Sequence, residues 1–375
     1  MTASDGSARR GVLATPHGAI DTPAFMPVGT AGSIKGVTPA QLRGTGTQII
    51  LANTYHLQLR PTADAVAQLG GLHRFMGWEG PILTDSGGYQ VFSLASINRV
   101  TDDGVEFRSH IDGAAVWLDA ETAMEVQNKL GADIIMAFDE CPPLPSEYDA
   151  LRTAVERTIR WARTCRDVRR RGDQALFGIL QGGLDIALRQ RCAEALVGIG
   201  FDGYAIGGLS VGESPEEMAA IVPRVTECLP AERPRYLMGV GMPRDILAAV
   251  QAGVDLFDCV LPTRNGRNSF AFTALGPLRM RNEVHRLDDA PLEAGCDCET
   301  CQHFGRGYIR HLFNAGEMLG PTLTSIHNLR FYQRFMARVR ALIEEGRLAA
   351  LAAEFPIVER SAARSSRLEE NEWSR

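Results

Sequence analysis

The feature that most constrains the fold is a repeated unit: a short apolar segment, then polar or glycine residues, then a helix-like stretch. Eight such units predict an α/β fold of the (β/α)8 TIM barrel type, in which parallel strands joined by helices close on themselves. An open, doubly wound sheet is the alternative, but the sequence shows neither fewer strands nor a clear switch point. The apolar segments are residues 24–29, 48–54, 81–88, 133–140, 175–183, 203–210, 235–241 and 255–261.

Capping residues mark the helices between these segments. Ser214, followed by Pro215 and two glutamates, predicts a helix start, and Gly253 predicts a helix end. A last helix over residues 329–352 would close the barrel.

Two stretches interrupt the repeat. Residues 89–132 alternate polar and apolar residues around Asp112 and Gly113, which predicts a hairpin inserted after the third strand. Residues 277–329 form an irregular insertion after the eighth strand and contain a cluster of cysteines. We therefore predict one barrel domain over residues 1–375, with these two insertions.

Composition indicates a globular protein of the cytoplasm. Of the 375 residues, 45% are apolar and 22% charged, which excludes a disordered chain. The beginning of the chain shows no signal-peptide pattern, and no apolar run approaches the roughly 20 residues of a transmembrane helix. Five of the eight cysteines are scattered through apolar segments, so we expect a reducing cytoplasm rather than disulfides.

The net charge of -6 argues at first against a nucleic-acid partner, but it is unevenly distributed. Residues 264–340 hold 11 Arg against 7 acidic residues, and residues 152–171 hold 8 Arg against 2. The second group is typical of a solvated helix face, with RNA contact as the alternative. The group at residues 264–340 follows a predicted strand end and favours contact with a phosphate backbone.

Carboxylates follow two of the predicted strands. In a barrel, active-site residues lie at the carboxyl ends of the strands, where Asp85 and Asp258 occur. Either could instead cap the next helix. Two carboxylates across a barrel mouth are typical of glycosidic chemistry, in which one attacks the anomeric carbon and the other moves protons.

A second group of strand-end residues suits a purine. Asp139 and Gln181 offer a carboxylate and an amide that can read the donor and acceptor edge of a base. Gly207 and Gly208 would let a planar ring approach the backbone. Tyr89 and Met238 could stack on such a ring, although both residue types are common in cores.

The sequence CDCETC predicts a structural metal site. Cys296, Cys298 and Cys301 supply three thiolates, and structural zinc takes a fourth ligand, for which His303, His311 and His327 are candidates. His303 is too close to Cys301, and His311 lies in a helical pattern. We favour His327, which precedes the predicted last helix. An iron–sulfur cluster usually takes a fourth cysteine, and none is nearby.

Taken together, the motifs resemble the tRNA-guanine transglycosylases (queuine tRNA-ribosyltransferases), from about Gly11 to the last helix. The motifs that carry the resemblance are LTDSGGYQVFSL, MAFDECPP, LQGG, YAIGGLSVGE, YLMGVG, FDCVLPTRNGR and CDCETC with its later histidine. The family implies a barrel enzyme with one structural Zn²⁺ per subunit, usually a homodimer. It exchanges the wobble guanine of GUN-anticodon tRNAs for a deazaguanine in queuosine biosynthesis, reading U-G-U in the anticodon loop.

The resemblance also implies a role for each matching residue. Asp258 would be the nucleophile that forms a covalent ribosyl-aspartate, and Asp85 the general acid/base. The base pocket would be formed by Asp139, Gln181, Gly208, Leu209, Tyr89 and Met238. The zinc ligands would be Cys296, Cys298, Cys301 and His327, and RNA would contact Arg264 and Arg267.

Cys141 and Val211 match the bacterial subtype, which implies 7-aminomethyl-7-deazaguanine (preQ1) as the incoming base. The rival functions are a non-catalytic RNA-binding partner subunit, an archaeal-type transglycosylase acting elsewhere in tRNA, and a barrel glycoside hydrolase. The chain departs from the family at its start, where only four residues precede Asp5. We therefore expect the strand that the family places there to be short.

Overall fold

The structure of the protein, a computed structural model, describes residues 1–89 and 98–360. It begins with a three-stranded antiparallel sheet of β1 (Ala3–Asp5), β2 (Ala8–Thr15) and β3 (Gly18–Thr22). The strand before the first turn is thus present and short, since β1 pairs with β2 through three residues.

Eight parallel strands form the centre of the molecule. Each of the eight predicted segments contains one of them, and the sheet closes where the Gly29 amide donates to the Leu51 carbonyl at 2.6 Å. The predicted (β/α)8 barrel is therefore confirmed. Its strands, with the antiparallel set β7–β9 between the third and fourth, are β4 (Ala24–Pro27), β5 (Ile50–Ala52), β6 (Ile82–Thr84), β7 (Asn98–Val100), β8 (Val105–Arg108), β9 (Ala115–Leu118), β10 (Ile134–Met136), β11 (Ala175–Leu180), β12 (Gly203–Ile206), β13 (Arg235–Leu237) and β14 (Leu256–Cys259).

The segment between β6 and β10 contains more strands than a hairpin. β8 and β9 pair around Asp112 and Gly113, and β7 adds a third antiparallel strand on the other side of β8. The predicted insertion 89–132 includes residues 90–97, which lie outside the described residues. After the barrel, β15 (Phe270–Ala271) and β16 (Leu278–Arg279) form a two-stranded ribbon.

Helices surround the barrel, and their ends follow the predicted capping signals. Ser214 accepts a hydrogen bond from the Glu217 amide in a capping box, and Gly253 has a positive φ just beyond the helix that ends at Gln251. The described helices are α1 (Pro39–Gly44), α2 (Thr54–Leu59), α3 (Ala63–Gln68), α4 (Gly71–Met76), α5 (Ala120–Leu130), α6 (Tyr148–Asp167), α7 (Ile186–Ile199), α8 (Pro215–Thr226), α9 (Pro243–Gln251), α10 (Leu261–Arg267), α11 (Glu299–His303), α12 (Arg306–Ala315), α13 (Leu319–Glu344), α14 (Leu351–Glu354) and α15 (Ile357–Arg360).

The predicted bounds of the closing helix were wrong. The helix is α13, which begins ten residues before the predicted start and ends at Glu344. Pro321 does not prevent this, because amides in the first turn have no acceptor within the helix and proline is tolerated there. His327 therefore lies inside the closing helix instead of before it.

The barrel strands alternate between two apolar layers. Residues such as Met26, Leu51 and Phe177 fill the interior of the barrel, while their strand neighbours pack against the helices. Ile20 of the N-terminal sheet joins the interior layer. In the described residues, no helix is long and apolar enough to cross a membrane.

Candidate active site and metal centre

The alternation of the strands directs several polar side chains into the barrel mouth. Along a strand, the side chain two residues beyond an inward-facing core residue also faces inward. At the carboxyl end of the strand, that side chain lies in the barrel mouth and no longer in the apolar interior. Four inward core residues are followed in this way by a predicted site residue. The pairs are Leu83 with Asp85, Ile179 with Gln181, Tyr236 with Met238, and Leu256 with Asp258.

Asp258 is held through one of its two carboxylate oxygens. Its Oδ1 accepts hydrogen bonds from the Tyr236 hydroxyl and the Gly239 amide, both at 2.7 Å. In the part of the chain that the structure describes, Oδ2 has no hydrogen-bond partner, and the residue is partly exposed. Burial raises the pKa of Asp258, while the bonds from Tyr236 and Gly239 lower it. The arrangement leaves one oriented oxygen facing the mouth.

Asp85 is buried and held through both oxygens. The Thr54 amide donates to Oδ1 at 2.7 Å, and the Asn53 side-chain amide donates to Oδ2. The Thr54 hydroxyl also donates to the Asp85 carbonyl, so the turn after β5 fixes the end of β6. The Tyr236 hydroxyl donates to Asp258, and burial, Asp258 and also Asp85 raise the tyrosine's pKa well above its usual value. The two predicted catalytic carboxylates thus both affect the pKa of one tyrosine.

Asp139 and Gln181, the predicted base-reading residues, are hydrogen-bonded to each other. The Gln181 Nε2 donates to Asp139 Oδ2 at 2.7 Å, and the Ser86 hydroxyl donates to Oδ1 at 2.8 Å. Burial raises the pKa of Asp139 to about 6, against the lowering effect of these two bonds. The Gln181 Oε1 is buried and has no partner within the described residues. It is an acceptor available to a ligand that carries a donor.

Gly208 packs directly against this amide. It has φ of +63°, and a Cβ at this position would lie 2.3 Å from the Gln181 Oε1. Cys141 is buried in the same group: burial and the charge of Asp139 raise the pKa of its thiol to about 12, while Gln181 and the Gly208 backbone lower it. The structure thus brings together Asp139, Cys141, Gln181 and Gly208.

Leu209 and Val211 belong to the turn after β12. Leu209 is buried, and Val211 is partly buried. Glu213 holds this turn, since its carboxylate accepts from the Ser210 amide and from the Val211 amide at 3.1 Å.

The predicted stacking and RNA-contacting residues differ in their exposure. Tyr89 is 46% exposed, and Met238 packs against the interior of the barrel. Burial and Cys141 raise the pKa of Tyr89, while Arg264 lowers it. Arg264 is exposed, and Arg267, one helical turn on, is partly buried.

The arginines of residues 152–171 are largely engaged with neighbouring carboxylates. Arg157 bonds to Asp102 and Glu140, and Arg160 also bonds to Asp102. These contacts favour the solvated-face interpretation of α6 over RNA contact.

Three cysteines and a histidine form a cluster that could hold a metal ion. The ligand atoms of Cys296, Cys298, Cys301 and His327 lie within 4.8 Å of one another. The His327 Nδ1 is 3.7, 3.8 and 3.3 Å from the three sulfurs in that order. A tetrahedral zinc with ordinary bond lengths separates sulfur and nitrogen by about 3.6 Å, so the spacing fits.

Hydrogen bonds around the cluster orient its side chains for metal binding. The His327 Nε2 lies 2.7 Å from the Phe272 carbonyl, which requires the proton on Nε2 and leaves the Nδ1 lone pair free. The Cys298 sulfur accepts from the Cys301 amide and caps α11. His303 and His311 lie exposed on α11 and α12, outside the cluster.

Comparison with known proteins identifies the family. A model of the queuine tRNA-ribosyltransferase family matches residues 4–358. The chain belongs to this family. Three similar relatives are each named queuine tRNA-ribosyltransferase. They come from Thioalkalivibrio sulfidiphilus (53% identical, covering 95% of this chain and 96% of the relative), Novosphingobium aromaticivorans (54%, 94% and 96%) and Aromatoleum aromaticum (54%, 95% and 96%).

Sequence reasoning missed several residues that this member of the queuine tRNA-ribosyltransferase family uses to support its site. Tyr236 faces inward two residues before Met238, so strand alternation could have revealed it. Asn53 and Thr54 follow the second strand, at the mouth, where a polar pair is a signal. Glu213 had no signal, because its contact depends on the shape of the turn.

Proposed function

We propose that this chain is a tRNA-guanine transglycosylase, a pentosyltransferase that exchanges guanine in the anticodon loop of tRNA. The observation that carries the proposal is the Asp258 carboxylate, fixed through Oδ1 and open at Oδ2, at the same barrel mouth as the linked Asp139–Gln181 pair. One group suits attack on a ribose carbon, and the other suits recognition of a purine.

The first step is displacement of guanine. The target nucleotide flips into the mouth, where Asp139 accepts from the base and the Gln181 Oε1 takes a further donor. The Asp258 Oδ2 attacks the ribose C1′, the bond from C1′ to N9 breaks, and its electron pair leaves with the base. A covalent ribosyl-aspartate results, as in a retaining glycosidase.

The second step reverses the first with another base. The incoming base occupies the same pocket, loses its N9 proton to Asp85 and attacks C1′, which releases Asp258. Because one glycosidic bond replaces another, the exchange requires neither ATP nor a redox cofactor.

The incoming base that we propose is preQ1, with guanine as the exchanged partner. Support comes from the buried Cys141 beside Gln181 and from Val211 in the turn after β12, the two residues of the bacterial subtype. Queuine carries a larger substituent, and the eukaryotic members have a smaller residue at the Val211 position.

For the metal, we propose one structural zinc ion per subunit. Four protein ligands leave no position open for catalysis, so the ion would hold the segment around α11 to the closing helix α13. Zinc content measured on purified protein tests this, with one equivalent expected. His327→Gln should remove most of the zinc, whereas Cys228→Ser, at a cysteine outside the cluster, should keep it. Full zinc in His327→Gln would refute the ligand set.

For the RNA, we propose U-G-U in the anticodon loop, with contacts from Arg264 and Arg267. We propose a homodimer that works in the cytoplasm. Leu275, Leu287 and Met318 are exposed apolar side chains in the segment between β15 and α13, which also contains the three cysteines, and they support an association surface there.

The decisive experiment is incorporation of labelled guanine into a GUN-anticodon tRNA. We expect incorporation with the natural loop and none when U-G-U is mutated. On a denaturing gel the wild type should form an RNA adduct, and Asp258→Asn should form none while still binding tRNA. Absence of incorporation by the wild type would contradict the proposed function. Undiminished adduct in Asp258→Asn would contradict the nucleophile.

A further inference from the structure

Arg189 is a fully buried arginine beneath the proposed base pocket. It lies in the first turn of α7, with 1% of its surface exposed. Within the described residues no carboxylate forms an ion pair with it. Burial of a guanidinium without a directly bonded counter-ion is costly, and desolvation lowers the Arg189 pKa to about 10, although the charge of Glu213 acts in the opposite direction. A side chain kept in such a place requires compensating contacts.

The compensating contacts are backbone carbonyls of the pocket itself. Nε donates to the Gly183 carbonyl at 2.6 Å, and the two terminal nitrogens donate to the Gly207 and Gly208 carbonyls, each at 3.1 Å. Gly182 permits this approach, since a Cβ there would lie 2.8 Å from the Arg189 Cγ. One planar group thus ties the turns after β11 and β12 together.

The direction of these bonds determines where the neighbouring amides point. In a trans peptide the carbonyl and the following N–H point in opposite directions. Because Arg189 holds the Gly207 and Gly208 carbonyls, the N–H groups of Gly208 and Leu209 point away from it. On its other side Gly208 packs against the base-reading amide, since a Cβ at Gly208 would clash with the Gln181 Oε1.

Base departure moves negative charge toward this arginine. When the Asp258 Oδ2 bonds to C1′ and the C1′–N9 bond breaks, one negative charge passes from Asp258 to the purine. Oriented amide donors backed by a buried cation stabilise such a charge strongly in a site of low dielectric.

Resting on the proposed function, we propose that Arg189 is a positioning residue for the leaving base: it aims the Gly208 and Leu209 amides at the purine and offsets the charge that the purine acquires. It touches neither substrate nor reacting atoms. Its effect should therefore depend on how much negative charge the base carries in the transition state.

The test compares two leaving bases in the same RNA hairpin with a U-G-U loop. One hairpin carries guanine and the other 8-azaguanine, whose additional ring nitrogen stabilises the departing anion without changing the pairing edge. Single-turnover rates of adduct formation are measured for the wild type, Arg189→Gln and Arg189→Lys. The matched control is Arg191→Gln, an exposed arginine on the same helix that pairs with Glu156.

With guanine, we expect Arg189→Gln to be slower than the wild type by about 100-fold, the usual effect of losing an oxyanion donor. With 8-azaguanine the loss should be about tenfold smaller, because that anion needs less stabilisation. Arg189→Lys keeps the charge and should restore the wild-type ratio between the two bases at a reduced absolute rate. Arg191→Gln should match the wild type.

Equal losses on both bases would overturn the proposal, since a purely structural role lowers both rates by the same factor. The ratio is independent of the fraction of folded enzyme. Arg189→Met, a neutral side chain of similar length that suits a buried site, replaces Arg189→Gln if that variant does not fold. If the wild type forms no adduct with either hairpin, the proposed function itself fails, whatever Arg189 does.

Discussion

At the scale of single residues, Asp85 and Asp258 differ in how their oxygens are used. Both Asp85 oxygens accept bonds from the turn after β5, which fixes the carboxylate in one orientation for proton transfer. Asp258 has Oδ1 bound and Oδ2 directed to the mouth, which suits bond formation to carbon. The difference is consistent with the division of roles that the family resemblance implies.

Tyr236 should tune the nucleophile. In Tyr236→Phe, Asp258 loses a bond that lowers its pKa, so the pKa rises and the acid limb of the pH–rate profile moves to higher pH. The loss of a hydrogen bond to a charged group should also slow adduct formation by about tenfold. Tyr204→Phe, a buried tyrosine on β12 whose hydroxyl bonds to the Phe201 amide, is the control. An unmoved acid limb in Tyr236→Phe would refute this role.

Asp139 should make base binding depend on pH. Its pKa is about 6, and only the carboxylate form accepts bonds with both oxygens. As pH falls through 6, protonation removes an acceptor, so KM for guanine should rise. Asp139→Asn should have a KM about tenfold or more above the wild type, with no such pH dependence. Glu156→Gln, which removes a carboxylate of α6 that pairs with Arg191, should keep the wild-type profile. A pH-independent KM in the wild type would contradict the assignment.

How far these residues could be predicted depends on strand alternation. Asp85, Gln181 and Asp258 follow inward core residues by two positions, so their direction is contained in the sequence. Arg189 was missed because a helix arginine normally faces solvent. Its guanidinium has hydrogen-bond acceptors only because the turns after β11 and β12 lie next to it in the folded structure.

At the scale of elements, the turn after β12 is the segment most sensitive to small changes. Gly207 and Gly208 lie against the Gln181 amide, and Glu213 holds the amides that follow. Such close approach of backbone to side chain leaves no room for a Cβ.

Gly208→Ala should abolish most base exchange. Its Cβ would clash with the Gln181 Oε1, and the positive φ adds strain of about 1 kcal/mol. Gly346→Ala is the matched control: it has φ of +64° but no atom within 4 Å of the new Cβ. We expect both variants to lose thermal stability from strain, Gly208→Ala more because of its clash, and only Gly208→Ala to lose at least tenfold in kcat/KM. Equal activity in the two variants would exclude a clash at the pocket.

Element bounds were less predictable than element types. All eight barrel strands were predicted, because their apolar runs and glycine-rich ends recur. The start of α13 was not, because Gly320 and Pro321 look like a helix break but lie in its first turn, where they cost little. Consequently His327 was predicted to lie before the closing helix, whereas it joins the cysteine cluster from within that helix.

At the scale of the whole molecule, the charge distribution resolves an apparent conflict between an acidic protein and an RNA substrate. The net charge is -6. On α6, Arg157 and Arg160 are paired with carboxylates, whereas Arg264 is exposed beside the mouth. A local cationic rim is enough to bind a phosphate backbone, since screening limits each charge to about 8 Å at physiological salt.

This distribution predicts a small, localised salt dependence of tRNA binding. Each phosphate contact releases counterions, so removing one lowers the slope of log K against log salt concentration by about 1. Arg264→Gln should produce that decrease and weaken binding to matched and mismatched loops alike, because phosphate contacts carry no sequence information. Arg163→Gln combined with Arg166→Gln removes two exposed arginines of α6 and should leave the slope unchanged. Filter binding over a salt series measures both. A lower slope only in the α6 variant would contradict the proposed contact at Arg264. It would show instead that the RNA binds along α6, where the ion pairs leave enough free charge to bind it.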